Sequence, residues 1–306
     1  MNCMLQTVGF SDIEGVEAER RLRNELIYGN TKKTTKTAKL SDNRTAVEIF
    51  CEIAPNTGMV YRGENDRSGV FLSDCFFPAH ISKTLSLKEP IIVSKRMDSN
   101  AFTAMAYEYT HKIPIIFYLQ NEIEMYLKYD KDDKDRDYEV YLSGIAGDGK
   151  IILPIEGPKV EVGKLDKEKK AGGTKESDEE ELNEEELQMR FLAEKEISDY
   201  FMMNGRIKNE DLYSIIETTF MPCGTEVDTY TIIGKINSVE NLENNRTAEE
   251  MFLLGIECNG VVMEICINKK NLLGVPEVGR RFKGNVWLQG YVNWSTEKEN
   301  EEAYKL

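Results

Sequence analysis

The sequence predicts an α+β fold, in which a mostly antiparallel mixed sheet domain is followed by a helical hairpin and a small OB-like β-barrel. Three observations predict it. Between residues 46 and 155 apolar and polar residues alternate over several runs, which is typical of half-buried strands. Between residues 183 and 220 the apolar residues follow a helical period. After Pro222 the period returns to two, and Asn259-Gly260 between two apolar runs predicts a hairpin turn. The short strands predicted there suit a small barrel.

The first predicted elements are a helix and the strands of the sheet. Ser11 and Glu14 have the spacing of a capping box, in which the two residues satisfy free backbone N–H groups at a helix start, and Gly29 ends this helix. Strands are predicted at 46–54, 58–62, 69–77, 90–95, 101–109, 113–120, 138–144 and 150–155, with a turn at Gly147-Asp148-Gly149 before the last of them.

The predicted parts have clear boundaries in the sequence. Nearly half of the net negative charge lies in residues 157–223, and the densely charged start of this range cannot bury enough apolar surface to order itself. The predicted organisation is therefore a sheet domain at 1–156, an acidic flexible linker at 157–182, a helical hairpin at 183–222, a barrel at 223–295 and a disordered tail at 296–306.

Composition restricts the possible partners and the compartment. The 306 residues carry a formal net charge of −15, and neither predicted folded part is basic. This argues against nucleic acid and anionic lipid as partners, since both bind clustered Lys and Arg. No apolar run approaches the ~20 residues of a membrane-spanning helix. The first residues lack the basic and apolar regions of a secretory signal, so we expect a cytoplasmic protein without membrane contact.

Cysteine and histidine usage predicts neither a metal site nor disulfides. The six cysteines include no C-x-x-C pair, and only two histidines are available as further ligands. In a reducing compartment such cysteines are expected to be free thiols. No glycine-rich phosphate cradle precedes a predicted helix, so we expect no nucleotide and no other cofactor.

Several segments resemble one bacterial family. The most specific is the run from Cys266 to Gly290, and FMPCGTEVD at 220–228 is another. The others are Val8–Ile13, Ile116–Asn121, Gly149–Ile155 and Asp211–Ile216. Together they resemble the uncharacterised family called domain of unknown function 3881, found in clostridia-like bacteria. The resemblance spans nearly the whole chain. It implies a shared fold and a cytosolic bacterial setting, and it implies no activity and no catalytic residues.

Cys75 and His80 are the candidate catalytic pair. A thiolate–imidazole pair needs both side chains within hydrogen-bonding reach and a donor for the oxyanion. No glycine-rich turn stands near Cys75, which is followed by two phenylalanines, so a core cysteine and a structural histidine are favoured. His111 is interpreted as a surface residue at a turn.

The candidate ligand-binding residues lie at the end of the predicted barrel, where basic and aromatic side chains come close together in sequence. They are Arg280, Arg281, Lys283, Trp287, Gln289 and Tyr291. Alternation places the last three on one face of a strand, where aromatic rings beside cations could bind single-stranded nucleic acid or an oligosaccharide. Packing of Trp287 and Tyr291 against the hairpin or the first domain is the favoured alternative, because basic residues are sparse here.

The sequence favours a non-enzymatic binding or interaction protein that acts on another protein or a small ligand. No catalytic spacing is present, and the barrel-like second part suits binding. Two alternatives stay open: single-stranded nucleic-acid or oligosaccharide binding through residues 280–291, and a hydrolase with an unrecognised carboxylate or Cys75 site.

Overall fold

The computed structural model describes residues 2–40, 44–97, 99–108, 113–129, 136–154 and 216–295. The predicted linker 157–182, the hairpin as far as residue 215, the tail 296–306 and His111 lie outside the described residues. The described helices are α1 (Asn2–Thr7), α2 (Val16–Tyr28) and α3 (Glu122–Lys128). None of these described helices has the length and apolar character needed to cross a membrane.

The remainder of the described chain is mainly β-structure, with a short 3-10 turn at Lys269–Asn271. The strands are β1 (Lys33–Lys39), β2 (Thr45–Ala54), β3 (Thr57–Asn65), β4 (Phe71–His80), β5 (Leu87–Lys95), β6 (Phe102–Glu108), β7 (Ile113–Leu119), β8 (Asp137–Ile152), β9 (Thr219–Pro222), β10 (Thr229–Glu243), β11 (Glu250–Cys258), β12 (Val261–Asn268), β13 (Leu272–Leu273) and β14 (Arg281–Asn293).

Strands β1 to β4 form an antiparallel four-stranded sheet in sequence order. Their alternating apolar residues give the sheet two buried faces. One face belongs to a core that includes Leu26 of α2 and Cys51 and Ile53 of β2. On the other face, Val60 and Phe77 pack in a smaller core with Tyr118 of β7. The first core also contains residues of α1, β8, β10, β11 and β12, so both faces of the four-stranded sheet are covered by other described elements.

The other ten strands form one sheet that closes twice on itself. One ring runs β8–β14–β10–β11–β12 and back to β8, and a second runs β8–β14–β7–β6–β5 and back to β8. The two rings share the β8–β14 pair. The β12–β8 and β14–β7 pairings are parallel, and the other pairings of the rings are antiparallel. Side chains from both rings form the largest buried core.

The predicted α+β fold class, with a helical hairpin and a separate OB-like barrel, was wrong. The described protein is mostly β, and residues 223–295 do not form a barrel by themselves. Strand β8, from the N-terminal half, fills the place between β12 and β14. Described residues on both sides of the predicted linker belong to one compact unit. Local alternation identifies a strand but does not identify a partner that lies more than a hundred residues away.

Three local predictions were also wrong. Gly147-Asp148-Gly149 is not a turn, because β8 continues through it and pairs with β14 across a bulge. Phe220 lies in strand β9 and stacks on Tyr230, with ring centroids 4.3 Å apart. Ser11 does not cap a helix. Its hydroxyl donates to Glu249 over 2.6 Å, and α2 begins only at Val16.

Candidate functional site

A cleft of about 460 Å³ opens beside the four-stranded sheet. Its lining comes from α1, β4, β7, β14, the chain that follows β5, the turn before β10 and the first residue of β10. Four of the lining side chains are aromatic: Phe76, Phe77, Tyr118 and Trp287. A concave, largely apolar site of this volume with a few polar groups is typical of small-molecule binding.

Three of the aromatic rings form one edge-to-face cluster. The Phe77 and Tyr118 centroids are 4.8 Å apart, and those of Tyr118 and Trp287 are 5.0 Å apart. The third distance, between Phe77 and Trp287, is 5.9 Å. Each interplanar angle is between 65° and 75°, the arrangement that aromatic quadrupoles favour. The rings come from β4, β7 and β14, so the cluster exists only when the two sheets pack together.

A buried cation lies against this aromatic cluster. The guanidinium carbon of Arg62 is 4.8 Å from the centroid of Phe77 and 5.5 Å from that of Tyr118. Nε of Arg62 donates to Glu48 over 2.8 Å, and Nη1 lies 3.1 Å from a carboxylate oxygen of Glu122. Burial raises the pKa of Glu122, and this effect outweighs the attraction of Arg62, which lowers the pKa. Since the cation is held by two carboxylates, it supports the ring cluster without adding net positive charge.

The polar end of the cleft is organised around Asp228, which is only 1% exposed. Oδ2 of Asp228 accepts hydrogen bonds from Nη1 of Arg96, at 3.0 Å, and from the indole nitrogen of Trp287, at 3.1 Å. Arg96 also pairs with Glu226. The backbone N–H of Leu288 donates to the carbonyl of Asp228 over 2.8 Å, which fixes the turn on β14.

The second carboxylate oxygen of Asp228 has no such partner. Oδ1 is buried and accepts no hydrogen bond from any residue within the described ranges. An unpaired buried acceptor is costly, because it has lost its water without gaining a donor.

Comparison with protein families identifies the family of the chain. The family described as "Domain of unknown function, E. rectale Gene description (DUF3881)" matches residues 5–290. The chain belongs to this family. No curated protein matches the chain, and no solved structure does.

The family's matched range contains every residue that lines the cleft except Met4, and the resemblance predicted from the sequence is confirmed. Two of the segments that carried the resemblance, 220–228 and 266–290, meet at the cleft through the bond between Trp287 and Asp228.

Cys75 lines the cleft, but His80 is not its partner. Nδ1 of His80 lies 2.8 Å from the hydroxyl of Thr57, and Nε2 lies 2.8 Å from Oε2 of Glu264. Both ring nitrogens are therefore engaged elsewhere. Burial raises the pKa of the Cys75 thiol, which keeps it protonated at neutral pH. The candidate thiolate–imidazole pair is not formed.

The predicted ligand-binding residues do not form one surface. Trp287 alone lines the cleft. Arg281 is buried and donates to the carbonyl of Leu153, and Arg280 pairs with Glu277 at 2.9 Å.

The remaining three predicted residues lie along β14. Gln289 is fully buried and donates to the carbonyl of Pro78 over 2.9 Å. The hydroxyl of Tyr291 donates to Glu124 over 2.9 Å, and Lys283 lies opposite Lys150 in the ladder. The alternation itself was correct, since Val286, Leu288 and Val292 on the other face are fully buried.

Sequence reasoning missed the rest of the cleft. Arg96 lies in no recognised segment, and the segments that hold Asp228 and Tyr118 indicated the family but no site. The three residues come together only through pairing of distant strands. The adjacent residues Phe76 and Phe77 could have indicated an aromatic binding site, but adjacent aromatic residues are equally typical of a buried core. Among the described side chains, no group of three His, Cys, Asp or Glu residues is placed to hold a metal ion.

Proposed function

We propose that this protein binds a small, largely apolar ligand in the aromatic cleft and does not transform it chemically. The observation that carries the proposal is the cleft of about 460 Å³, with aromatic rings along its wall and a fixed polar group at one end. Binding sites combine apolar area, which supplies affinity, with a few placed polar groups, which orient the ligand.

The state of the titratable groups supports binding without catalysis. Burial raises the pKa of Cys75 and of the Tyr118 hydroxyl, so neither supplies a nucleophile or base at neutral pH. Asp228 is held by Arg96 and Trp287.

The two tryptophans of the chain provide a direct test. Trp287 lines the cleft, whereas Trp294 is 2% exposed and lies in the buried core of the ten-stranded sheet. In the full chain labelled with 5-fluorotryptophan, 19F NMR should show two resonances. Titration with 2-naphthol, a neutral planar probe, should shift the Trp287 resonance saturably and leave that of Trp294 in place.

A cleft-filling variant and its matched control complete the test. Thr229 lines the cleft opposite Trp287 in the ladder, and Thr231 lies two residues further along the same face of β10 without lining it. Thr229→Phe should abolish the shift, and Thr231→Phe should retain it. A wild-type protein that shows no saturable shift, or a Thr229→Phe variant that binds equally well, would contradict the proposal.

We also propose that the protein works in the cytoplasm. Cys51, Cys258 and Cys266 are free, buried thiols, which is the usual state in a reducing compartment. Detection of the protein in the membrane or secreted fraction of the cell would contradict this location.

A further inference from the structure

We infer that the ligand is an arylalkylamine, whose aromatic ring packs in the cleft and whose protonated amino group donates to Asp228. The inference rests on the proposed function and names the chemical class of its ligand. It depends on the unpaired oxygen of Asp228, on the charge at the polar end and on the aromatic wall.

The unpaired oxygen requires a donor. Asp228 is 1% exposed and lines the cleft, and its Oδ1 accepts nothing from the described residues although Oδ2 accepts two hydrogen bonds. A ligand N–H that reaches Oδ1 replaces a missing interaction and displaces none. A ligand carboxylate offers no donor and would meet an acceptor at close range.

The charge at the polar end selects the same ligand. Among the described residues, two carboxylates, Glu226 and Asp228, pair with the guanidinium of Arg96, so acidic groups outnumber basic ones in these pairs. Cys75 and Tyr118 are neutral, because burial raises the pKa of each. The site therefore favours a cation and repels an anion, and the low dielectric of a buried site strengthens both effects.

The aromatic side chains that line the cleft favour an aromatic ring in the ligand. Trp287 and Phe77 present an edge-to-face pair, and a planar ligand can extend this packing by adding a further ring. The indole of Trp287 is fixed by its own bond to Asp228, so the ring and the acceptor keep a constant spacing. An amino group on a short arm from an aromatic ring matches that arrangement.

Three naphthalene probes of similar size test the inference on the fluorotryptophan-labelled full chain. They are 2-naphthylmethylamine, a cation, 2-naphthol, which is neutral, and 2-naphthoate, an anion. Both probes can donate to Asp228, but only the amine brings a positive charge to the carboxylate, so it should bind about tenfold or more tightly than the neutral probe. The anion should bind most weakly.

Asp228→Asn removes the charge and keeps the size of the side chain. In this variant 2-naphthol should still bind, and the preference for the amine should fall to less than about threefold. Glu226→Gln, at a side chain that is 53% exposed, provides a second variant that does not disturb the core. It should reduce the preference for the amine about twofold.

The outcomes separate the two proposals. If none of the probes binds, the proposed function fails. If 2-naphthol binds but the amine is no tighter, or if the anion is tightest, only the inference about the amine is overturned. A preference for the amine that survives unchanged in both variants would also overturn it.

Discussion

The indole nitrogen of Trp287 donates a hydrogen bond to Oδ2 of Asp228 over 3.1 Å, and this contact joins strand β14 to the turn before β10. The same carboxylate oxygen holds Arg96. Trp287 is therefore part of the wall of the cleft and also of the support for its polar end. Changes at this residue should separate the contribution of the ring from that of its N–H.

Replacing Trp287 should lower the stability in two steps. Trp287→Phe keeps an aromatic ring and removes the donor, so the free energy of unfolding should fall by about 1 kcal/mol. Trp287→Ala also removes the contacts with Phe77 and Tyr118 and should cost about 3 kcal/mol. Urea denaturation followed by far-UV circular dichroism measures both losses. Equal losses in the two variants would show that the ring contacts contribute nothing.

Acid should weaken the protein through Glu264. Burial alone would raise the pKa of this carboxyl, but hydrogen bonds from His80 and Thr84 outweigh it and lower the pKa to about 2. Because the folded value lies below the unfolded one, this contribution to stability is present above about pH 4.5 and is lost as the pH falls towards 2. After solvent screening of the partly exposed carboxyl it amounts to about 2 kcal/mol.

The measurement is the free energy of unfolding between pH 5 and pH 2 for wild type and Glu264→Gln. The variant should be less stable at pH 5, and the difference should disappear near pH 2. Glu240→Gln, at an exposed position of β10, is the control and should follow the wild-type curve. A constant gap between wild type and Glu264→Gln would rule out the carboxylate as its source.

Some of this fold could be predicted from the sequence because the signals are local. Asn259-Gly260 forms the expected hairpin turn, with φ of 50° and 77°, values that Asn and Gly adopt most easily. The alternation of β14 correctly placed Leu288 in the core and Trp287 on the opposite face. Side-chain direction in a strand depends only on the neighbouring residues.

The rest depends on contacts between distant residues. Ser11 has the sequence signature of a helix cap, but its hydroxyl binds Glu249, 238 residues away. Asp228 ends the segment 220–228, which indicated the family but no role for this residue, and its place in the cleft comes from Arg96 and Trp287. The local sequence pattern gives no information on partners that are distant in the chain, and the cleft is formed mainly by residues that are distant from one another in sequence.

Removing the buried cation Arg62 should be strongly destabilising. It is 7% exposed and donates to Glu48, to the hydroxyl of Tyr118 and to the carbonyls of Leu119 and Gln120. Arg62→Met leaves carboxylates buried without a counter-charge and should cost about 4 kcal/mol.

A triple variant tests the cause of that loss. Arg62→Met combined with Glu48→Gln and Glu122→Gln removes the uncompensated charges and should recover about 2 kcal/mol of the loss in chemical denaturation. If the triple variant is as unstable as Arg62→Met alone, the loss comes from the unpaired carbonyls or from packing, and not from charge.

The shared pair β8–β14 should tolerate a methyl group at one glycine of β8 and not at another. A Cβ added at Gly144 would lie 2.3 Å from Cγ1 of Val286 and 3.3 Å from Cγ1 of Ile265, side chains of the strands on either side. A Cβ added at Gly147, in the same strand, meets nothing within 4 Å.

Gly144→Ala should therefore lower the free energy of unfolding by about 2 kcal/mol through overpacking. Gly147→Ala should leave it unchanged or raise it by about 0.5 kcal/mol, since alanine restricts the unfolded chain. Urea denaturation of both variants checks the difference, and similar losses in the two would show that β8 is not packed closely between β12 and β14.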